Sequence, residues 1–280
     1  MTAPPQIRVE RLPETDGRPL RLGRHIEHDQ RSLAFAAPAL PRSAIRSVSW
    51  PRAVDPFDQG ADITVGGTVY HGLGSCVGNA AAGWLASGNT SRPGAATVHG
   101  QPVDETLAVT LYSAATGLDS VPGRFPTQDT GSSGIGGAKA LVKFGFATGY
   151  RHAYSLQAAL SAMQTGPVLI GVPWYESMFE PAPDGGVRVD RASPLAGGHE
   201  LCLNRLDMDR RRAWFPQSWG DWGLDGWGWF GLDDLAALLA DDGDVTIPTP
   251  ITVGAPAARR GCLARLAGRL RHRPPTARPA

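Results

Sequence analysis

The chain has 280 residues, of which 42% are hydrophobic and 19% charged, and its net charge at pH 7 is +1. This length suits one large domain or two lobes that share a core, and the near-neutral charge points to no polyanionic partner. The sequence has no apolar run of membrane-spanning length, and its N-terminus lacks the apolar core of a secretory signal. We therefore predict a cytoplasmic protein, with export by another route left open.

The first 43 residues are polar and interrupted by prolines, and they predict an arm that wraps the domain. His25 and His28 have the spacing of a metal-binding pair, but we interpret them as residues of this arm because no cysteine or acid cluster accompanies them. Residues 43–50, with the sequence SAIRSVSW, alternate enough to predict a first strand.

Helical periodicity dominates the next part of the chain. A first helix is predicted over 76–86, with Ser75 as its N-cap and Gly88 just past its end. Three more helices are predicted over 105–116, 135–146 and 156–164.

From residue 166 the sequence favours strands. The predicted elements are a buried strand over 166–174, an alternating strand in GGVRVDR (185–191), a hairpin of 199–206 with 211–219, and a short helix over 232–240. The chain is therefore predicted to be an α+β protein with a helical lobe of about 60–165 and a strand-rich lobe of about 166–245. A cleft between two such lobes is where substrate sites tend to lie.

Residues 246–280 are predicted to be a tail rich in proline and arginine. Seven arginines and no acidic residue fall in the last 22 positions, and Leu263, Leu266 and Leu270 recur between them as in a short cationic amphipathic helix. Two interpretations stay open: a weak contact with an anionic surface, and a solvated terminus. We expect no nucleic-acid partner.

Cys76 is the first of only three cysteines, and it follows a flexible Gly-Leu-Gly-Ser run at a predicted helix start. A helix N-terminus and a nearby histidine both lower a thiol pKa, and the thiolate is the nucleophile. His199 is the best placed histidine, because it follows two glycines and opens a strand in the other lobe. By itself Cys76 is either such a nucleophile or a small buried apolar residue. The cysteine spacings indicate neither a disulfide framework nor a zinc site, and we expect no metal and no cofactor.

The order of three motifs carries a resemblance to a known family. LGSCVGNAAAGWL comes first, AGGHELCL follows, and PQSWG comes 18 residues after the histidine. This order resembles the papain-like cysteine peptidases, particularly their short bacterial and phage branch, over residues 48 to 240. The resemblance implies a peptidase domain over 44–245, a helical N-terminal lobe and an antiparallel β-barrel-like C-terminal lobe with the active-site cleft between them.

The resemblance also implies roles for site residues. Cys76 would attack the scissile carbonyl, and His199 would take its proton and pass it to the leaving amine. Gln217 stands where the family has an asparagine that orients the histidine, and its extra methylene requires the backbone or the ring to shift. Trp219 would shield that hydrogen bond.

The oxyanion donor of the family is a glutamine six residues before the cysteine, where this chain has Tyr70. An insertion of about eleven residues, 61–71, would move that glutamine to Gln59. If the insertion displaces the strand instead, His71 or Tyr70 could substitute, or the donor is lost.

Substrate contacts are implied for Ser133, Gly134, Gly198 and Trp219, with the first two offering backbone hydrogen bonds to an extended peptide. The sequence thus predicts a cysteine-type peptidase acting on a peptide or protein substrate through an acyl-enzyme. The alternative is a catalytically impaired papain-fold protein that binds a peptide or a protein partner.

Overall fold

The structure, a computed structural model, describes residues 5–13, 20–55, 57–88 and 93–251. The helices are α1 (Cys76–Ala86), α2 (Glu105–Ala115), α3 (Gly134–Lys143), α4 (Leu156–Ala162) and α5 (Leu232–Ala240). The strands are β1 (Ile7–Glu10), β2 (Ile26–Asp29), β3 (Val48–Ser49), β4 (Asp62–Val65), β5 (Thr68–His71), β6 (Thr97–Val98), β7 (Gln101–Pro102), β8 (Ala147–Ala153), β9 (Val168–Tyr175), β10 (Leu195–Leu203), β11 (Arg205–Asp207), β12 (Arg212–Pro216), β13 (Trp227–Gly231) and β14 (Asp244–Pro250). Short 3-10 turns cover Gln30–Phe35, Arg42–Ala44 and Glu176–Met178.

The five helices predicted within the described residues are all present, and α1 and α5 have the predicted ends. The N-terminus of α3 is capped by the hydroxyl of Ser133, which accepts a hydrogen bond from the Gly136 N–H. The same helix stops at Lys143, earlier than predicted, because Gly145 adopts a left-handed backbone with φ of 71°. Ser75 does hold the N-cap position of α1, but its hydroxyl donates to Asn79 Oδ1 instead of accepting from the backbone.

Eight of the described strands form two four-stranded antiparallel sheets, in the orders β10-β9-β14-β8 and β13-β12-β11-β3. The other six form the two-stranded pairs β1-β2, β4-β5 and β6-β7. The chain leaves the first sheet at Asn204, whose N–H donates to Trp214 O and whose carbonyl accepts from Trp50 N, and enters the second sheet. The predicted barrel-like lobe is therefore wrong in detail: across the described residues the two sheets stay separate and no closed barrel forms. The strand-rich part of the described structure is therefore open.

Several predicted boundaries also change. The strand β8 was not predicted, and it extends the first sheet although it precedes residue 166. The predicted tail loses residues 246–250, because β14 continues to Pro250 and pairs with β8. The remaining tail, with its predicted amphipathic helix, lies outside the described residues.

Two strand predictions fail for local reasons. Residues 43–50 give only the two-residue strand β3, since the preceding residues form a 3-10 turn and Pro51 follows. The segment 185–191 touches β13 through a single bridge between Gly186 and Trp229. Gly185 there takes φ of 82°, which turns the chain at the start of the segment and prevents a longer ladder.

The core consists mainly of two apolar clusters that meet beside β9 and β10. Cys76 and Trp84 belong to the cluster built by α1, α2 and α3, whereas Trp174 and Trp219 belong to the cluster built by the strands, α4 and α5. Predicted site residues therefore come from both clusters, Cys76 from the first and Trp219 from the second. Within the described ranges, no helix has the length and apolar character needed to cross a membrane.

Candidate active site

Cys76 is the first residue of α1, and its side chain is fully buried. α1 packs close against α2, since a Cβ added at Gly78 would lie 2.1 Å from the Ala108 carbonyl oxygen. Burial raises the pKa of the Cys76 thiol to about 12, and backbone hydrogen bonds from Glu200, Gly23 and Val77 oppose that rise. The thiol is therefore neutral in this state, and its sulfur lies against the residue that follows His199 on β10.

His199 is held in one orientation by Gln217. The ring Nε2 lies 2.6 Å from Gln217 Oε1, and the Ser218 backbone N–H donates to the same oxygen at 2.8 Å. Because that amide N–H identifies the atom as an acceptor, Nε2 must carry the proton of the neutral ring. The other nitrogen, Nδ1, is buried with no hydrogen-bond partner in the described part of the chain, so it is the nitrogen left to exchange a proton.

Two tryptophans enclose the His199 ring. Trp219 stacks on it at a centroid distance of 4.5 Å and an interplanar angle of 21°, and Trp174 meets it edge-on at 5.1 Å. Burial lowers the pKa of His199 to about 4, and the hydrogen bond with Gln217 opposes this fall. The imidazole is therefore neutral in this covered state.

The longer side chain of Gln217 reaches His199 although an asparagine was expected at this position. Gln217 follows the last residue of β12, and its own N–H donates to the Gly226 carbonyl at 2.8 Å. The side-chain oxygen then accepts from both His199 and Ser218. Its Nε2 is buried without a partner among the described residues, so only the oxygen of the amide is used.

The segment predicted as an insertion before Cys76 forms the β4–β5 hairpin, whose residues are mostly exposed. One face of the hairpin packs against a small buried cluster that includes Leu73 and Phe125. Gln59 precedes the hairpin, and the Leu73 N–H after it donates to the Gln59 carbonyl at 2.9 Å, which closes the hairpin base. Tyr70 and His71 are hairpin residues: Tyr70 donates to the Pro126 carbonyl, and His71 pairs with an acid on the neighbouring strand.

Gln59 itself is buried, and its side chain contacts the arm and Ser218. Its Nε2 donates to the carbonyls of Arg21 and Leu73, each at 3.0 Å, and its Oε1 accepts from Ser218 Oγ at 2.6 Å. Ser218 therefore connects Gln59 to Gln217, because its hydroxyl bonds the first and its N–H bonds the second.

The N-terminal arm lies across these residues. The carbonyl of Gly198 accepts from the N–H groups of Gly23 (3.2 Å) and Arg24 (3.0 Å). Ser132 pairs with the arm on the other side: its N–H donates to Gly23 O and its carbonyl accepts from His25 N, both at 2.8 Å. Residues 23–25 are thus held as an extended peptide between the two parts of the domain.

The arm also places a carbonyl among the site donors. The Arg21 oxygen accepts from Gln59 Nε2 and from Trp219 Nε1 at 2.9 Å. Close approach depends on glycine, because a Cβ at Gly23 would lie 2.0 Å from the Gly74 carbonyl oxygen, and one at Gly198 would lie 2.3 Å from the Arg24 carbonyl oxygen.

The residues predicted to bind substrate differ in what they contact. Gly198 and Trp219 hydrogen-bond the arm directly. The backbone of arm residues 23–25 pairs with Ser132 and not with Ser133. The Ser133 hydroxyl caps α3 and also donates to Glu27 Oε2, a side chain of the arm, at 2.5 Å. Gly134 allows the carboxylates of Glu200 and Asp244 to approach the backbone, since a Cβ there would lie 2.8 Å from an oxygen of each.

Sequence reasoning missed Gly23, Arg24 and Ser132. Each is a small or charged residue in an irregular segment, where neither a period of 2 nor one of 3.6 marks which positions are buried. A buried arginine in a polar arm has no signal in one sequence, because a charged residue is normally exposed.

Comparison with known proteins supports the same fold. No protein-family model matches the chain, and no curated protein matches it. Among solved structures it is similar to xylellain, a cysteine protease from Xylella fastidiosa, with a TM-score of 0.62 and 14% identity, covering 87% of this chain and 99% of that one. The fold is papain-like. The digestive procathepsin L 3 of Tenebrio molitor also matches, with a TM-score of 0.48, 14% identity and coverage of 77% of this chain and 74% of that one, which is too weak to add to the argument.

Proposed function

We propose that the protein is a cysteine-type peptidase whose nucleophile is Cys76. The observation that carries the proposal is the 2.6 Å bond between His199 Nε2 and Gln217 Oε1, because it fixes the imidazole and leaves Nδ1 as the ring nitrogen that can accept a proton. This bond also favours a peptidase over a protein that only binds peptides, since binding alone needs no oriented imidazole.

In the proposed reaction Cys76 gives its proton to His199 Nδ1, and the sulfur attacks the scissile carbonyl carbon to form a C–S bond. The oxyanion is stabilised by Gln59 Nε2 and the Cys76 backbone N–H. His199 then protonates the leaving amine as the C–N bond breaks. A water that loses its proton to His199 attacks the thioester, and the C–S bond breaks to release the carboxylic acid.

The chemistry requires that the arm leave the site. With the arm in place, burial keeps both Cys76 and His199 neutral, as their pKa values of about 12 and about 4 indicate. Water that enters after the arm moves removes this burial, so the pKa of the thiol falls and that of the imidazole rises.

Hydrolysis of a mixed peptide pool by the full chain, followed by mass spectrometry, tests the proposal. New peptide termini should appear, and they should disappear in the Cys76→Ala and His199→Ala variants, whereas Cys202→Ala should retain the activity. Hydrolysis that persists in Cys76→Ala would refute the assignment, and so would a chain that cleaves nothing after its arm has been displaced.

A further inference from the structure

A small cavity lies between α1, β10 and the residues that follow β12, and it takes no part in the proposed reaction. Arg52, Phe57, Asn79, Cys202 and Gln217 are among the residues that line it. Its volume is about 10 Å³, the room of a single water-sized sphere. The cavity therefore has space for one water molecule or one monatomic ion, and not for a larger group.

Arg52 brings a positive charge to the wall of this cavity. Its guanidinium carbon lies 5.7 Å from the Phe57 ring centroid and 5.8 Å from that of Trp227. Nε and Nη1 are buried and have no hydrogen-bond partner among the described residues. Burial lowers the pKa of Arg52 to about 10, and Cys202 and Asp55 oppose this fall. The guanidinium is still a cation at pH 7, and a buried cation is costly unless an acceptor or an anion faces it.

Gln217 adds a second unpartnered donor to the same wall. Its side chain is buried, and its Oε1 is already engaged by His199 Nε2 and by the Ser218 N–H. Its Nε2 is buried and lacks a partner in the described part of the chain. Because the oxygen is held on the His199 side, the nitrogen is the end of the amide that can face the cavity.

The neighbouring polar side chains do not supply an acceptor for these donors. Asn79 Nδ2 donates to Glu105 Oε1 at 2.8 Å. Glu200 also lines the cavity, but its carboxylate lies 2.8 Å from the positions that a Cβ would take at Gly134 and Gly171, neither of which borders the cavity. The unpartnered groups at the cavity are therefore N–H donors, and one of them carries a positive charge.

A donor-rich cavity of this size selects a monatomic anion. Water accepts hydrogen bonds from N–H groups, but it brings no charge to offset the guanidinium. Sulfate, phosphate and carboxylate groups carry the charge but are larger than the cavity. Chloride and bromide meet both requirements.

From these observations we propose that the cavity binds a chloride ion, held by Nε and Nη1 of Arg52 and by Nε2 of Gln217. The bound ion fixes the nitrogen end of the Gln217 amide, while His199 and Ser218 fix its oxygen end. The site does not depend on the proposed peptidase function, because its binding is read from the stability of the fold.

Thermal unfolding of the full chain tests the site, with potassium chloride replaced by potassium gluconate at constant ionic strength. An ion that binds only the folded state raises the folded-to-unfolded ratio about tenfold at about ten times its Kd. For a chain of this length that ratio corresponds to a rise in Tm of about 3–6 °C. Tm should rise to saturation with chloride or bromide, and not with acetate. Equal Tm values in chloride and gluconate would overturn the site.

Two variants locate the effect. Arg52→Gln removes the charge and should abolish the chloride response. Arg205→Gln is a matched control and should keep it, because Arg205 is exposed and its guanidinium lies 5.1 Å from the Trp214 ring centroid. A chloride response that persists in Arg52→Gln, or that disappears in Arg205→Gln, would overturn the assignment.

Gly83→Ala keeps the test decisive if Arg52→Gln does not fold. A Cβ at Gly83 would lie 3.5 Å from Cys202 Cβ and 4.0 Å from Phe57 Cε2, which are ordinary contacts, and alanine favours a helix. The methyl group takes up room in the cavity without removing a donor, so higher chloride concentrations should be needed for the same rise in Tm. An unchanged chloride response in Gly83→Ala would contradict the site.

Crystals grown in bromide give a direct view of the ion. We expect an anomalous-scattering peak in hydrogen-bonding contact with Arg52 and Gln217. Density in the cavity without an anomalous signal would identify a water molecule and overturn the proposal.

Discussion

The contact between Gly23 and Gly74 predicts how the arm controls Cys76. In the variant Gly23→Ala the new methyl group would lie 2.0 Å from the Gly74 carbonyl oxygen, a distance at which something must move. The backbone on the Gly74 side leads directly into α1, whereas the arm around Gly23 is an irregular segment held by hydrogen bonds, the Arg24–Asp244 ion pair and the buried Leu22 side chain. We therefore expect the arm to move.

The size of the effect follows from the cost of overpacking, which is typically about 1–3 kcal/mol for added methylenes in packed sites. Since 1.4 kcal/mol is a factor of ten in an equilibrium constant, the open population should rise by about fivefold to about a hundredfold. Alkylation of Cys76 should accelerate by the same factor, because a fully buried thiol reacts only when the arm is open.

The assay is iodoacetamide labelling at pH 7, with each cysteine followed by peptide mapping. Gly149→Ala is a matched control, since a Cβ there meets no atom within 4 Å. Cys202, buried in the helical cluster, should keep its slow rate in both variants. The reasoning is refuted if Gly23→Ala labels Cys76 no faster than Gly149→Ala does, or if Cys202 accelerates equally, which would show general unfolding.

Three further predictions follow from the same geometry. Gln217→Asn should lower kcat/KM by about tenfold to a hundredfold, because the side chain is one methylene shorter and withdraws the oxygen that now lies 2.6 Å from His199 Nε2. A misplacement of about 1 Å at a catalytic group typically has a cost of this size. Unchanged kcat/KM would show that the hydrogen bond does not orient the ring. Burial lowers the pKa of His199 from 6.5 to about 4, so up to about 3 kcal/mol of folding stability is lost as the pH falls from about 6.5 towards 4. Denaturant titrations at pH 7 and pH 4.5 should therefore show a smaller loss of stability for His199→Gln than for the unmodified chain. Equal losses would contradict the buried neutral imidazole. The rate of Cys76 alkylation in the unmodified chain should still be rising above pH 9, since burial raises the thiol pKa to about 12, and Gly23→Ala should shift the profile to lower pH; a plateau near pH 8 in the unmodified chain would disagree.

The sequence predicted a segment's structure correctly where apolar residues recur at the spacing of a helix. LDDLAALLA was placed correctly as α5, and the segment after Ser75 as α1, because apolar residues recur at helical spacing and nearby glycines mark the ends. Residues 185–191 alternate equally well, but a left-handed glycine at Gly185 prevents the ladder, and alternation alone carries no information about a pairing partner.

The site was predictable only in part for a similar reason. The motif order pointed to Cys76, His199 and Gln217, but whether an amide one methylene longer reaches the ring depends on the backbone after β12, which the sequence does not give. The hydrogen bond between Gln59 and Ser218 depends on the path of the β4–β5 hairpin, which the sequence does not give. The burial of Arg24 depended on a tertiary contact of the arm, which no local pattern reports.

The central claim is that Cys76 becomes acylated, and rapid-quench mass spectrometry of the Gly23→Ala chain mixed with a peptide ester tests it most directly. The account predicts an added acyl mass on the fragment that contains Cys76, formed before the bulk of the product acid and absent in the corresponding Cys76→Ala chain. Ester hydrolysis that continues in Cys76→Ala, or an acyl mass carried by a different residue, would contradict it.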